Sequence, residues 1–299
     1  MTEKPVPSGD LELWTEAFGD PSDPVLLLII GADSQCLGWP DSMCEGLAAG
    51  GRYVIRYDHR NSGKSSLVDF EKEPYDCADL ARDAVAVLDA YGVGRAHVAG
   101  ASMGGFIGQL LALDHRERVR SLTLISTSSA LGGVIRGLSG EDTYFSPPPH
   151  ADYLAEVHRL QTRLAQSPPS TREEAIEARV QSYLLLRGSL HYDEDACRRT
   201  LTREYDRARV PGHTDTSPLA VGASFPIGDL GPRLRDLDVP TLVLHGTDDP
   251  IVPVEHGRAL ADCIPGADYI ELEGYGHAAP DDAVIETWSA VILRHTRHA

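Results

Sequence analysis

Three short stretches of this chain carry residue types that could together perform acyl transfer. The first is Gly100-Ala101-Ser102-Met103-Gly104, which follows the apolar run Ala96 to Ala99 and leads into the apolar run Phe106 to Leu113. A serine between two glycines where a strand passes into a helix reads as a nucleophile elbow. The glycines let neighbouring backbones approach where a side chain would clash, and the sharp turn holds the Ser102 hydroxyl out toward a substrate. Five residues alone are weak evidence, because a match of this composition arises by chance in about one chain in ten of this length. A nucleophilic serine also needs a base to take its proton and an acid to orient that base.

Both appear downstream, in the order acid then base. Thr241-Leu242-Val243-Leu244-His245 reads as a buried strand that stops at Gly246-Thr247-Asp248-Asp249-Pro250, so a carboxylate there stands at a strand end. Two aspartates compete. Asp249 is three residues after Gly246 and four before Pro253, a G-x-x-D-x-x-x-P spacing that favours it, while Asp248 is the residue expected to shape the turn. The base candidate is His277. Tyr269-Ile270-Glu271-Leu272 alternates as a short strand, and Glu273-Gly274-Tyr275-Gly276-His277 then forms a glycine-broken loop. Of the twelve histidines, His277 combines the right order with the right setting.

The elements that must position these residues alternate in type. Val25 to Ile30, Arg52 to Tyr57, Ala96 to Ala99, Val119 to Ile125, Thr241 to His245 and Tyr269 to Leu272 are strand candidates, separated mostly by helical segments. Asp79 to Tyr91 is the clearest helix, with Leu80, Ala84, Val87, Leu88 and Tyr91 on one stripe and Asp83 and Asp89 off it. Such alternation predicts a largely parallel sheet. From Gly132 to about Gly231 the rhythm breaks, with Pro147-Pro148-Pro149, Pro168-Pro169 and polar helical stretches such as Thr171 to Arg187. The expected organisation is a core of residues 1–131 and 232–299, with a mainly helical cap over 132–231.

Composition narrows the partners. Acidic residues exceed basic ones by 45 to 27, a formal charge of −18, whereas binding nucleic-acid phosphates needs clustered cations. Asn61-Ser62-Gly63-Lys64-Ser65 resembles the end of a phosphate loop, but that motif needs glycine where this chain has Asp58. The segment is expected to form a hydrogen-bonded turn behind the site, with Asp58 and Arg60 paired to each other. Met1 to Asp10 lacks a basic start and an apolar stretch, and no segment approaches ~20 uninterrupted apolar residues, so a cytoplasmic protein that does not engage a membrane is expected. The five cysteines are scattered without a C-x-x-C pair, and neither they nor His150, His158, His191 and His213 have the spacing of a metal site. No metal and no cofactor is expected, and the chain is expected to act as a monomer or homodimer on a small molecule.

Ser102, Asp249 and His277, with Tyr57-Asp58-His59-Arg60-Asn61-Ser62-Gly63-Lys64-Ser65 upstream, resemble the α/β-hydrolase superfamily over nearly the whole chain. Leu11-Glu12-Leu13-Trp14, Gly38-Trp39-Pro40, Arg56-Tyr57-Asp58-His59-Arg60 and Asp249-Pro250-Ile251-Val252-Pro253 are similar to the aclacinomycin methylesterase branch. The resemblance implies an α/β-hydrolase fold: a mostly parallel eight-stranded sheet flanked by helices, with a helical cap inserted after strand 6. It implies a Ser-His-Asp serine esterase whose oxyanion donors are the backbone N–H groups of Met103 and Ala32, and, if it extends to substrate, a methyl ester of an anthracycline-type polyketide.

Substrate choice is expected to reside in the cap. Tyr144, Phe145, Tyr153, Tyr183, Tyr192, Tyr205 and Phe225 could offer flat faces to an aromatic substrate, and Asp33 and Trp39 are further pocket candidates. Gly31-Ala32-Asp33-Ser34 departs from the usual His-Gly start of the oxyanion loop. A carboxylate aimed at that site would oppose the developing charge, so Asp33 must turn away, find a cation, or belong to a different reaction. The alternatives are therefore another small-ester, lactone or carbon–carbon bond hydrolase, a cofactor-free lyase or cyclase, and a non-catalytic binding protein.

Overall fold

A computed structural model describes residues 1–138, 147–213, 215 and 217–297. Its centre is a sheet of eight strands: β1 (Thr2–Ser8), β2 (Leu11–Phe18), β3 (Val25–Ile29), β4 (Tyr53–Tyr57), β5 (Ala96–Ala101), β6 (Val119–Ile125), β7 (Thr241–Gly246) and β8 (Asp268–Leu272). The spatial order is β1-β2-β4-β3-β5-β6-β7-β8. β1–β2 and β2–β4 are antiparallel, and every other pair is parallel. The six strand candidates correspond to β3 to β8.

β1 and β2 are the strands that pattern reading missed. Pro5 and Pro7 argue against a strand interior, but β1 is the sheet edge, where a missing N–H costs no ladder bond. Gly9 at φ 58° makes the two-residue connection between them.

The helices are α1 (Asp41–Ala49), α2 (Cys77–Ala90), α3 (Met103–Asp114), α4 (Leu131–Leu138), α5 (Ala151–Gln166), α6 (Arg172–Leu184), α7 (Glu194–Arg207), α8 (Ser217–Ala223), α9 (Gly231–Leu234), α10 (Val254–Cys263) and α11 (Asp282–Arg297). Both faces of the sheet are covered, which is why β3 reads as an unbroken apolar run. Leu27 and Ile29 enter the core against α2 and α3, while Leu26 and Leu28 point the other way, toward α1 and α11. Among the described residues no helix is long and apolar enough to cross a membrane.

Three expectations need correction. Asp83 was placed off the buried stripe of its helix; it is wholly buried, where it accepts from Arg60 at 2.7 Å and from Ser8 Oγ at 2.6 Å. Asp58 and Arg60 therefore do not pair with each other. Asp58 instead binds Arg207 of α7 at 2.9 Å and the Cys36 N–H at 2.8 Å. Trp39 is no pocket residue: it is wholly buried, edge-on to Trp288 with ring centroids 6.5 Å apart, where it joins α1 to α11.

Between β6 and β7 the chain leaves the sheet and builds α4 to α9. Within this insert, α6 and α7 pack on each other around Ile176, Val180, Tyr183, Cys197 and Leu201. α6 starts at a capping box, Thr171 accepting the Glu174 N–H while the Glu174 side chain reaches back.

Candidate active site

β5 ends at Ala101, and the next residue, Ser102, is forced to φ 53°, ψ −119° before α3 begins. Glycine is required on either side of that turn. A Cβ on Gly100 would lie 2.1 Å from the Gly104 carbonyl oxygen, and one on Gly104 would lie 2.1 Å from the Ile29 carbonyl oxygen. The turn is tied down by the Ser102 N–H to Ile125 O at 2.8 Å and by Thr127 Oγ1 to Ser102 O at 2.8 Å. These constraints leave the Ser102 side chain projecting from the carboxyl end of the sheet.

His277 comes to the same place from the loop after β8. Its Nε2 is 2.9 Å from Ser102 Oγ, and its Nδ1 is 2.6 Å from Asp249 Oδ2. The ionised carboxylate can only accept, so Nδ1 carries the proton and Nε2 accepts from the serine hydroxyl. Asp249 is wholly buried. Burial alone would raise its carboxyl, but His277 and His245 beside it hold it well below the usual carboxylate range. Its second oxygen takes the N–H groups of Ile251 at 3.0 Å and Val252 at 2.8 Å, so the turn before Pro253 fixes its direction.

Asp248 faces elsewhere. It accepts the Ser189 N–H from the insert at 2.9 Å, and its bonds with Ser189 hold its carboxyl below the ordinary value. The insert also meets the histidine loop: the His277 N–H donates to Leu186 O at 2.6 Å and the Leu190 N–H to Gly274 O at 2.8 Å.

On the opposite side of Ser102 runs the segment after β3. A Cβ on Gly31 would be 3.2 Å from the Ser102 Cβ, so this backbone passes directly beside the serine. His59 Nε2 donates to Ile30 O at 2.9 Å from a fully buried position, and burial keeps this histidine from charging. Met103 opens α3, where the first N–H groups have no intrahelical acceptor. Ala32 follows Gly31 on the segment that passes the serine, and Met103 follows Ser102 at the start of α3.

Asp33, the residue that raised doubt, has found a cation. Arg179 of α6 reaches its carboxylate at 2.5 Å and its carbonyl at 2.7 Å. Sequence reading did not single out Arg179, because nothing local marks it among the arginines of the insert. Glu204 of α7 was missed for the same reason. It is buried beside this pair, and burial, reinforced by Asp58 and Asp33, pushes its carboxyl up to about 7 against the pull of Arg179 and of the Gln35 N–H.

The other expected pocket residues divide. Tyr183 lies where α6 meets the Asp33 segment and donates to the Asp33 carbonyl at 3.2 Å. Phe225 is half-buried beside Gly132. Tyr144 and Phe145 lie outside the described residues. Tyr153 of α5 is held by burial above the usual phenol range, with the Asp249 and Asp33 carboxylates adding to it. A cavity of about 330 Å³ adjoins the Asp33 segment, lined by Asp33, Arg179, Glu204, Tyr205, His213 and Asp215 among others. Among the described residues no three His, Cys, Asp or Glu side chains stand together as a metal site.

Known proteins resemble this chain over nearly its whole length. Residues 24–284 match the model of the alpha/beta hydrolase fold family. The chain is 40% identical over 310 aligned positions to rhodomycin D methylesterase DauP of Streptomyces sp. strain C5, covering 100% of this chain and 99% of that protein. It is 39% identical, with the same coverage, to rhodomycin D methylesterase DnrP of Streptomyces peucetius. Among solved structures, a hydrolase from Pseudomonas aeruginosa PA01 superposes with a TM-score of 0.71 at 25% identity, covering 98% of each chain.

Proposed function

The chain belongs to the α/β-hydrolase fold family, and from that premise we propose that it is a serine carboxylic-ester hydrolase that removes the methyl ester of an anthracycline-type aromatic polyketide. The observation that carries hydrolysis is the unbroken hydrogen-bonded line from Asp249 through His277 to Ser102. The substrate class is supported by the full-length similarity to two rhodomycin D methylesterases.

In this reading His277 takes the Ser102 proton as the oxygen attacks the ester carbonyl, and the buried Asp249 carboxylate stabilises the imidazolium. The N–H groups of Met103 and Ala32 receive the negative charge that forms on the carbonyl oxygen. Collapse of the tetrahedral intermediate breaks the bond to the methoxy group, which leaves as methanol with the proton from His277. Water then enters, His277 takes its proton, and attack on the acyl-serine releases the free acid and restores Ser102. Residues 132–231 serve as a cap that excludes water and walls the pocket, over a core of residues 1–131 and 232–299. Asp33 gives no ground for a different reaction, because its charge is already matched by Arg179.

The test pairs intact-protein mass spectrometry after fluorophosphonate treatment with methanol release from a carbomethoxy anthracycline. One adduct that disappears in Ser102→Ala, with one methanol per acid formed, is the expected result. Labelling with turnover of small esters but no methanol from any carbomethoxy polyketide would overturn the substrate class and leave the hydrolase. No label and no turnover would overturn both.

A further inference from the structure

Each polar backbone atom of Asp33 is taken by the insert. Its N–H donates to Ser217 Oγ of α8 at 2.9 Å, and its carbonyl accepts from Arg179 Nη2 at 2.7 Å and Tyr183 Oη at 3.2 Å. The next two residues are held likewise: Ser34 Oγ is 2.5 Å from Tyr183 Oη, and the Gln35 amide donates to Glu204 O at 2.8 Å while accepting from Arg207 at 2.7 Å. The core contributes Ser62 Oγ on Ser34 O and Asp58 on the Cys36 N–H, neither of them at Asp33. Asp33 also lies at φ 56°, a backbone region that a residue with a side chain occupies only when its surroundings impose it. Here the surroundings are α6 and α8.

Charge makes the same point. Among the described residues, Arg179 is the only cation within ion-pair distance of Asp33. Without it, a carboxylate next to Ala32 would repel the tetrahedral oxyanion more than it repels a neutral ester.

We propose that Arg179 is a positioning residue for the oxyanion site: its guanidinium cancels the Asp33 carboxylate and, through the Asp33 carbonyl, holds the backbone that presents the Ala32 N–H to the substrate. The proposal rests on the hydrolase reading of Ser102. It makes a residue 146 positions away from Asp33 a determinant of transition-state stabilisation.

The test is a cycle of Arg179→Met, Asp33→Asn and the double variant in the full chain, with kcat, KM and the rate of fluorophosphonate labelling measured for each. Arg179→Met is expected to lower kcat and labelling about 10²-fold, comparable to losing one oxyanion donor, with KM changed by no more than about threefold. Asp33→Asn alone should cost less than about tenfold, and adding it to Arg179→Met should recover about tenfold or more, because the unmatched charge is gone. A merely structural contact would give no such rescue. Unchanged turnover in Arg179→Met, or a double variant no faster than Arg179→Met, overturns the proposal. If Arg179→Met does not fold by circular dichroism, Arg179→Gln replaces it, and absence of rescue by Asp33→Asn is again decisive. Wild type that takes neither label nor ester overturns the hydrolase reading itself, whereas active wild type matched by Arg179→Met overturns only the role of Arg179.

Discussion

The turns at the carboxyl end of the sheet carry Ser102 and His277, and the inner face of the insert docks on the Asp33 segment, but the two regions are specified in different ways. At the turn after β5, the geometry follows from local sterics, since a single Cβ at Gly100 or Gly104 would meet a carbonyl oxygen at 2.1 Å. On the inner face of the insert, Arg179, Tyr183, Glu204 and Ser217 reach the Asp33 segment across 146 to 184 positions of sequence, and no local rule demands any of them. The first region assembles the reacting groups. The second decides the charge and backbone shape beside them.

The comparison is sharpest where the two regions meet, and the largest expected effects lie on the sheet side. Ser102→Ala should lower kcat by up to ~10⁶ with the fold intact, measured as methanol release with thermal unfolding as the control. Asp249→Asn should cost about 10⁴, because an amide in place of the carboxylate favours the wrong imidazole tautomer and leaves the imidazolium unstabilised. Its neighbour provides the contrast. Asp248 binds Ser189 of the insert and not His277, so Asp248→Asn should cost about tenfold or less, through looser docking of residues 186–190 against the histidine loop. A reversal of those two magnitudes in parallel kinetics would break the division of labour between the adjacent aspartates.

How much was legible in the sequence follows the same boundary. β3 to β8 announced themselves as apolar runs because the sheet is covered on both faces, and Ser102, Asp249 and His277 were marked by glycine- and proline-bearing turns that end those runs. β1 was obscured by two prolines that only an edge strand tolerates. Asp83 was misread because helical periodicity records which face is buried, not whether a buried carboxylate has Arg60 waiting for it. Trp39 was misread because an aromatic next to a glycine turn has the same signature whether it meets a ligand or another indole. Asp33 could be recognised as a charge requiring an answer, while Arg179 as the answer required the tertiary fold.

The smallest expected effect probes the insert side through pH. Glu204 is buried where α7 meets the Asp33 segment, and its carboxyl is pushed up to about 7, chiefly by burial. Its folded-state value thus lies above the 4.5 of a free glutamate, so the folded chain holds this proton more tightly than the unfolded chain. The corresponding stability is fully present below about pH 4.5, is lost as pH rises to about 7, and changes no further above that. Glu204→Gln keeps the shape and abolishes the titration. The stability difference between wild type and this variant should therefore fall from pH 5 to pH 7 and level off by pH 8, as read from unfolding midpoints. Asp249 has the opposite sign, with a depressed carboxyl whose stabilisation is present above the ordinary carboxylate range and lost as pH falls below it. A flat profile for Glu204→Gln would mean that Glu204 is ionised in the folded protein at all these pH values. Arg179 would then answer two carboxylates, Asp33 and Glu204, and removing the guanidinium would leave both charges unmatched at the Asp33 segment.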